Sequence, residues 1–179
     1  MFNQVSFGIH YCTLTLVRRP GEVLLGIKTD KIGKGLYNGA GGVIEQGEDV
    51  HAATMRELKE ETGLVVQKRH IIPTAIVDCY NRDKDGKPKN LTKVFVSQVF
   101  TFSGRRKDSS ELVKQTWFPV NKLPYERMLP GDRSWIRLAL GRKRFIACVY
   151  YGQGMKILER ETAISPLDRE LLNRLWVRP

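Results

Sequence analysis

Residues 42–64 read GVIEQGEDVHAATMRELKEETGL. The pattern from Asp49 to Thr62 predicts a helix, and Gly63 follows at the position where a left-handed glycine commonly ends one. Predicted strands and helices lie on both sides of this segment, without internal repeats, low-complexity tracts or linkers. A chain of 179 residues fits one compact domain with a sizeable core, so the sequence predicts a single α/β domain over residues 1–179.

The flanking elements are predicted from apolar patterns, turn residues and helix caps. The predicted strands are two within residues 11–28 joined at Arg19-Pro20-Gly21, then Ile71–Tyr80, Leu91–Phe102, Trp117–Val120 and a hairpin over Phe145–Glu159 turning at Gly152-Gln153-Gly154. The predicted helices are Asp132–Leu140, capped by Asp132, and a C-terminal helix over 165–177 with Ser165 as N-cap and Pro166 in its first turn. We expect the C-terminal helix to dock on the domain; binding to a partner is the alternative.

The chain carries a formal charge of +11, which is unusually basic for its size. Scattered surface lysines and arginines explain this charge most simply, and attraction of a nucleotide or nucleic acid is the functional alternative. Two basic clusters, Arg105-Arg106-Lys107 and Arg142-Lys143-Arg144, are interpreted in the simpler way when each is taken alone.

The cysteines and the hydropathy pattern bear on location. Cys12, Cys79 and Cys148 are widely spaced and have no CxxC motif or nearby His pair, so they indicate reduced core thiols and not a disulfide framework or a zinc site. No apolar run approaches the ~20 residues needed to cross a bilayer, and the N-terminus lacks a signal-peptide pattern. We expect a cytoplasmic protein without membrane contact, present as a monomer or a weak dimer.

Three glutamates share one face of the predicted central helix. Glu57, Glu60 and Glu61 are three and four residues apart, which places them on an arc of about 100°. Residues 45–61 contain six acids and two bases, a local charge of −4 in a chain of +11. A divalent cation would neutralise this cluster, and carboxylates without His or Cys favour Mg²⁺, with Mn²⁺ as a substitute. The alternative is a solvated helix surface without a ligand.

The residues around the glutamates favour a ligand site. Gly41 and Gly42 precede the helical segment, where bare backbone can approach a ligand or offer carbonyl oxygens to a metal. Arg56 lies four residues before Glu60 and eight after Glu48, so it can orient either carboxylate.

The whole stretch resembles the Nudix box, G-x5-E-x7-R-E-U-x-E-E-x-G-U, at every defined position. The matching residues are Gly42, Glu48, Arg56, Glu57, Leu58, Glu60, Glu61, Gly63 and Leu64. Agreement at all of these positions is a specific signal. The resemblance implies the Nudix α/β/α sandwich, with a mixed β-sheet between helices, and metal-dependent hydrolysis of a pyrophosphate linkage.

Beyond the box, the chain resembles the oxidised-purine nucleoside triphosphatase branch of the family, which includes 8-oxo-dGTP diphosphatases. The clearest patches are VLLGIK, GKGLYNGAGG, WFPVNKLPYERMLP and YGQGMKILE. The resemblance implies nucleotide contacts from Thr13, Lys28 and Asn38, backbone metal contacts from Gly41 and Gly42, and metal ligation by Glu57, Glu60 and Glu61. A further glutamate of the branch corresponds to Glu111 if one residue is inserted before Trp117.

One part of the branch pattern is missing. The branch reads the purine edge with two consecutive aspartates after a Trp-Pro pair, whereas residues 129–132 of this chain read Leu-Pro-Gly-Asp. Asp132 therefore has two candidate roles, a base contact and a helix N-cap. Ala40 and Tyr37 also replace aromatic residues of the branch. The choice of purine stays open, while nucleotide hydrolysis is expected.

The expected function is Mg²⁺-dependent hydrolysis of a purine nucleoside triphosphate with an oxidised base, to the monophosphate and pyrophosphate, which would sanitise the nucleotide pool and serve DNA repair. Water would attack the β-phosphorus with Glu61, Glu60 or Glu111 as base. The alternatives are another substrate, such as a normal dNTP, a nucleotide sugar or 5′-triphosphate RNA, or a non-catalytic nucleotide or RNA sensor. RNA is less favoured because aromatic and basic residues do not alternate as on single-strand-binding surfaces.

Overall fold

The computed structural model describes residues 8–30 and 32–176. The strands are β1 Gly8–Arg19, β2 Glu22–Lys28, β3 Tyr37–Asn38, β4 Leu64–Val65, β5 Ile71–Arg82, β6 Pro88–Val99, β7 Ser103–Gly104, β8 Leu112–Pro119, β9 Phe145–Tyr150 and β10 Ala163–Pro166. The helices are α1 Val50–Thr62, α2 Asp132–Leu140 and α3 Arg169–Leu175, with short 3₁₀ turns at Lys68–His70, Tyr125–Arg127 and Gln153–Met155. Strands β4 and β7 form a small separate sheet.

The other eight strands form one mixed sheet in the order β10-β9-β5-β6-β1-β2-β3, with β8 also paired to β2. The pairs β1–β6 and β5–β9 are parallel, and the remaining pairs are antiparallel. Six consecutive residues of β1, from Thr13 to Arg18, are buried. A strand covered on both faces does not need to alternate apolar and polar residues, which explains the continuous run of Thr, Leu and Val in β1.

Helices cover both faces of this sheet. Trp135 of α2 shares a core cluster with Leu16 of β1, whereas Leu58 of α1 shares another with Val17, the next residue of the same strand. Because neighbouring strand residues point to opposite faces, α1 and α2 lie on opposite sides. The predicted α/β/α sandwich with a mixed sheet between helices is confirmed. Within the described residues, no helix combines the length and apolar character needed to cross a membrane.

The C-terminal helix begins later than predicted. Ser165 and Pro166 belong to β10, which pairs antiparallel with β9, and α3 starts at Arg169 with Asp168 as its N-cap. The predicted Ser165 N-cap is therefore wrong, because pairing at the sheet edge overrides the local helix signal. Trp176 is buried and packs edge-to-face on Phe95 with ring centroids 5.4 Å apart.

Other elements also differ from the prediction in extent, and the strand predicted at Leu91–Phe102 is observed as β6 at Pro88–Val99. The strand predicted at Trp117–Val120 starts at Leu112, because its earlier residues pair with β2. The predicted hairpin over Phe145–Glu159 is reduced to the bridge between Tyr151 and Leu158, and β10 supplies the antiparallel partner of β9 instead.

Candidate active site

A glycine-rich loop runs beside β1 and forms one wall of a cavity. The Thr13 N–H donates to the Gly42 carbonyl at 2.8 Å, and the Thr15 N–H donates to the Ala40 carbonyl at 2.7 Å, so the loop follows the strand closely. At Gly41 φ is 155°, and an added Cβ would lie 2.1 Å from the Thr13 carbonyl oxygen. Glycine is required at this position by both its conformation and the close approach of β1.

Helix α1 lies in the predicted segment, with Asp49 as its N-cap and the predicted Gly63 at its end, and presents its acidic face to this loop. The Asp49 carboxylate accepts a hydrogen bond from a first-turn N–H at 2.7 Å, which holds the pKa of Asp49 below its ordinary value. Gly63 closes the helix with φ at 73°. Leu58 is fully buried on the core side, whereas Glu57 and Glu60 border the cavity.

Arg56 lies at the centre of the acidic cluster. Its Nε and Nη2 donate to the two carboxylate oxygens of Glu48, each at 2.8 Å, and its Nη1 donates to Glu57 at 2.8 Å and to Glu60 at 3.2 Å. The hydrogen bonds to Arg56 lower the pKa of Glu48, and those to Glu48 and Glu57 raise the pKa of Arg56. Arg56 therefore orients both predicted partners and partly neutralises the cluster.

Glu61 lies behind the loop, where it forms a buried ion pair with Lys28. The Lys28 Nζ is 2.5 Å from Glu61 Oε1, and the other carboxylate oxygen accepts a hydrogen bond from the Gly41 N–H at 2.8 Å. The side chain of Glu61 is only 3% exposed. Burial raises the pKa of Glu61, while Lys28 and the Gly41 N–H oppose that rise. This arrangement differs from the exposed acidic arc that helical spacing predicts, because Glu61 faces the protein interior.

A single cavity of about 330 Å³ gathers ten of the eleven predicted site residues. Those that border it are Thr13, Lys28, Asn38, Gly41, Gly42, Arg56, Glu57, Glu60, Glu111 and Asp132. Glu61 is the exception, since it reaches the cavity only through its partners Lys28 and Gly41.

Asp132 lies at the apolar end of the cavity, 4% exposed. Burial raises its pKa to about 7. The prediction that Asp132 caps α2 is wrong: the N-cap is Gly131, and no side chain caps the helix.

Among the described residues, neither Asp132 Oδ2 nor Thr13 Oγ1 has a hydrogen-bond partner. Two buried polar atoms without partners in one cavity indicate a polar ligand, because burying such atoms unpaired is costly.

Tyr151 is a cavity residue that sequence reasoning did not identify. It is buried beside Gly131, where an added Cβ would lie 2.8 Å from the Tyr151 hydroxyl oxygen. The aspartate missing from the branch pattern would lie at position 131, and Val149, whose Cγ1 would be 2.5 Å from the added Cβ, and Tyr151 together leave no space for its side chain. Gly131 is the sequence feature that indicates the loss of this aspartate.

Asn38 and Glu111 also reach the cavity. Asn38 borders it and uses its side-chain oxygen to accept a hydrogen bond from the Gly39 N–H at 2.9 Å, as in a local turn. Its amide NH₂ is the part suited to a ligand. Glu111 borders the cavity from the segment just before β8.

The mouth of the cavity offers oxygen donors of the kind that hard cations prefer. An added Cβ at Gly42 would lie 2.5 Å from Glu57 Oε1, so this carboxylate rests directly against bare backbone. No three acidic, His or Cys side chains of the described residues converge as a ready metal cage. Carboxylates beside glycine carbonyls nevertheless fit Mg²⁺ or Mn²⁺, provided that Arg56 yields its contacts to Glu57 and Glu60.

The NUDIX domain family matches residues 9–139, so the chain belongs to the Nudix family and is a Nudix hydrolase. It is similar to the oxidized purine nucleoside triphosphate hydrolase of Danio rerio, at 36% identity over 75% of this chain and 81% of that protein. The enzyme of that name from Mus musculus is 32% identical over 89% of this chain and 94% of that protein.

Solved structures agree on the fold. The MutT protein from Bacillus halodurans superimposes with a TM-score of 0.74 at 23% identity, covering 89% of this chain and 99% of that one. A bifunctional NMN adenylyltransferase/ADP ribose pyrophosphatase from Francisella tularensis, solved with AMP and a Mn ion, has a TM-score of 0.54 at 16% identity, covering 76% of this chain and 42% of that one. Nudix hydrolases generally use divalent metal ions.

Proposed function

We propose that this Nudix hydrolase converts a purine nucleoside triphosphate with an oxidised base to the monophosphate and pyrophosphate, in a Mg²⁺-dependent reaction. The observation that carries the proposal is one cavity of about 330 Å³ with carboxylates at its mouth and the buried Asp132 at its apolar end. The acidic mouth suits a metal-bound phosphate tail, and the apolar end suits a flat base. The names of the zebrafish and mouse relatives support this substrate class.

The metal would be held at the mouth of the cavity. Glu57 and Glu60, which border the cavity, would supply carboxylate oxygens, and Gly41 and Gly42 would supply carbonyl oxygens. When bound, Mg²⁺, or Mn²⁺ in its place, stabilises charge on the phosphoryl group and activates water. Arg56 would release Glu57 and Glu60 and keep its two hydrogen bonds to the Glu48 carboxylate.

Glu61, which the family resemblance assigns to the metal site, has a second role in this proposal. It fixes the Gly41 N–H and the Lys28 ammonium, which both border the cavity. Lys28 also donates to the Gly41 carbonyl at 3.1 Å. Glu61 would thereby position the loop and keep a positive charge close to the phosphates.

The proton acceptor would be Glu60 or Glu111. Water attacks the β-phosphorus. The bond from that phosphorus to the oxygen bridging the α- and β-phosphorus atoms breaks, and the monophosphate leaves with that oxygen. The water proton passes to a carboxylate that borders the cavity. Glu60 and Glu111 both meet this condition. Glu61 is less suited to this step because both of its oxygens already accept hydrogen bonds inside the protein.

The base would be bound by Asp132, Thr13 and Asn38. Because burial raises the pKa of Asp132 to about 7, its carboxyl can donate or accept a hydrogen bond near neutral pH. A purine edge carrying keto or amino groups presents both kinds of partner. Tyr151 packs beside Asp132 and would limit the pocket to one base-reading carboxyl.

The biological role proposed is removal of damaged nucleotides from the pool before DNA synthesis, in the cytoplasm. Cys12, Cys79 and Cys148 form no disulfide bond in the described part of the chain, which suits a reducing compartment.

A pyrophosphate-release screen with Mg²⁺ tests the proposal. The panel is 8-oxo-dGTP, 2-oxo-dATP, O6-methyl-dGTP, the unmodified dNTPs, ADP-ribose and triphosphorylated RNA. We expect an oxidised purine to have the highest kcat/KM, at least about tenfold above the matching normal dNTP. Higher kcat/KM for ADP-ribose or RNA would overturn the substrate class. Tight nucleotide binding without any turnover would instead indicate a sensor.

A further inference from the structure

A second groove of about 360 Å³ lies away from the catalytic cavity and shares no lining residue with it. It is formed by the start of β5, the end of β6, the turn after α2 and the start of α3. The guanidinium groups that border it belong to Arg69, Arg142, Arg144 and Arg169. All four side chains are exposed, and no Asp or Glu of the described residues lines the groove.

The floor of this groove carries a buried cation as well. Arg18 is 7% exposed and donates to Gln98 and to the carbonyl oxygens of Glu22 and Leu140, all of them neutral acceptors. Its guanidinium lies 5.3 Å from the centre of the Phe100 ring. Gln98 and Phe100 both line the groove, so the charge of Arg18 lies directly beneath it.

Arg142 approaches the same ring, with its guanidinium 4.8 Å from the centroid. Burial lowers the pKa of Arg18, and the charge of Arg142 lowers it further, so the two cations repel each other. Holding them at one aromatic ring without a carboxylate is unfavourable unless an anion compensates.

None of the groove arginines is neutralised by an acid in the structure. In residues 8–30 and 32–176, no carboxylate forms an ion pair with Arg69, Arg142, Arg144 or Arg169. Asp168 and Glu170 flank Arg169 in the sequence, and Asp168 caps α3 by accepting from the Leu171 N–H at 2.7 Å. The groove is therefore a positive surface open to an anionic partner.

We propose that this groove, lined by Arg69, Arg142, Arg144 and Arg169, binds the backbone phosphates of a single-stranded nucleic acid. Guanidinium groups bind phosphate oxygens in a bidentate manner. The four cations surround one groove of about 360 Å³ that no described acid lines, so its charge is complementary to that of a phosphate chain. The groove offers cations for phosphates, so we expect binding to be independent of sequence.

Fluorescence anisotropy with labelled oligo(dT) and oligo(U) of about 15 nucleotides tests the proposal, with the salt concentration varied between about 50 and 200 mM. We expect both strands to bind, with a slope of log K against log salt of about −0.7 for each phosphate contacted. The double variant Arg144→Ala/Arg169→Ala should bind about tenfold more weakly at low salt and reduce the steepness of that slope by about 1.4. Binding of only one strand type would assign the site to RNA or to DNA.

The matched control is Lys59→Ala/Lys122→Ala, which removes two exposed charges outside the groove. It should change the affinity less than about twofold if the groove is the binding site. An equal loss in both double variants would overturn the proposal, as would no binding by the wild type. Displacement by tripolyphosphate at equal phosphate concentration would show a small-anion site instead. Turnover of mononucleotides should be unchanged in the groove variant, so this test is independent of the catalytic proposal.

Discussion

Lys28 and Glu61 hold the two backbone polar groups of Gly41 from inside the protein. Glu61 accepts from the Gly41 N–H at 2.8 Å, Lys28 donates to the Gly41 carbonyl at 3.1 Å, and the two side chains meet at 2.5 Å. The ion pair is almost fully buried, with 10% and 3% of the side chains exposed. The glycine loop at the cavity mouth therefore depends on a buried ion pair of which Lys28, but not Glu61, borders the cavity.

Replacing Glu61 should lower both stability and activity. Glu61→Gln leaves the Lys28 ammonium buried without a carboxylate, which we expect to reduce the free energy of unfolding by about 3 kcal/mol. Urea denaturation at neutral pH measures this change. The double variant Lys28→Met/Glu61→Gln should recover part of the loss, because it removes the unpaired charge.

The control for this prediction is Glu60→Gln, one residue away on α1. The side chain of Glu60 is 59% exposed, so its ion pair with Arg56 is screened by solvent. We expect a stability change below about 1 kcal/mol. Equal destabilisation by the two substitutions would contradict the structural role assigned to Glu61.

Gly42→Ala tests the contact between the loop and Glu57. The new Cβ would lie 2.5 Å from Glu57 Oε1, so the carboxylate must move. Because the end of a flexible side chain is displaced, we expect a small loss of stability and a fall in kcat/KM of about a hundredfold, as for a misplaced catalytic group. Gly8→Ala, whose nearest contact would be 3.9 Å away, is the control. Unchanged kcat/KM in Gly42→Ala would show that the position of Glu57 does not matter.

Much of this architecture could be predicted from local sequence. Helix α1 starts after Asp49 and ends before Gly63 because both caps are encoded by adjacent residues. The turn between β1 and β2 follows equally from Pro20 and Gly21. The spacing of Arg56 also anticipates its bonds to Glu48 and Glu60, since one turn of helix joins Arg56 to Glu60.

The sequence-based predictions are wrong where contacts between segments distant in sequence determine the local structure. Ser165 and Pro166 resemble a helix start, yet β9 recruits them as an edge strand. Asp132 resembles an N-cap, yet its carboxyl is buried at the end of the cavity. Helical spacing groups Glu61 with its acidic neighbours but cannot show that Lys28, 33 residues earlier, lies against it. Each error reflects a contact between residues far apart in sequence.

The stability of the protein should depend on pH through Asp132. Burial raises its pKa from 3.8 to about 7, so between these values the folded protein binds a proton that the unfolded chain releases. Stability should therefore fall as pH rises through this window and then level off. Asp132→Asn cannot titrate. The free energy of unfolding of the variant minus that of the wild type should therefore increase by about 4 kcal/mol between about pH 4 and pH 8. Urea denaturation of both proteins across this range is the measurement, and a constant difference would contradict the assignment.

Arg56→Lys tests whether the fork geometry of Arg56 matters. A lysine cannot reproduce the two parallel hydrogen bonds to Glu48, so we expect a loss of about 1–2 kcal/mol in unfolding free energy and reduced kcat/KM. Arg133→Lys is the matched control, because Arg133 and Glu126 form an exposed pair with 62% and 88% of the side chains accessible. Similar effects of the two substitutions would mean that Arg56 contributes only charge.

The most direct test is pyrophosphate release from 8-oxo-dGTP as a function of Mg²⁺ concentration, in the wild type and in Glu57→Gln. Binding of Mn²⁺ to each protein is followed by calorimetry in parallel. We predict that EDTA abolishes turnover, that Mg²⁺ restores it, and that Glu57→Gln weakens metal binding and lowers kcat by at least about a hundredfold while the fold persists. Turnover that survives EDTA, or wild-type metal affinity and kcat in Glu57→Gln, would contradict the proposed site.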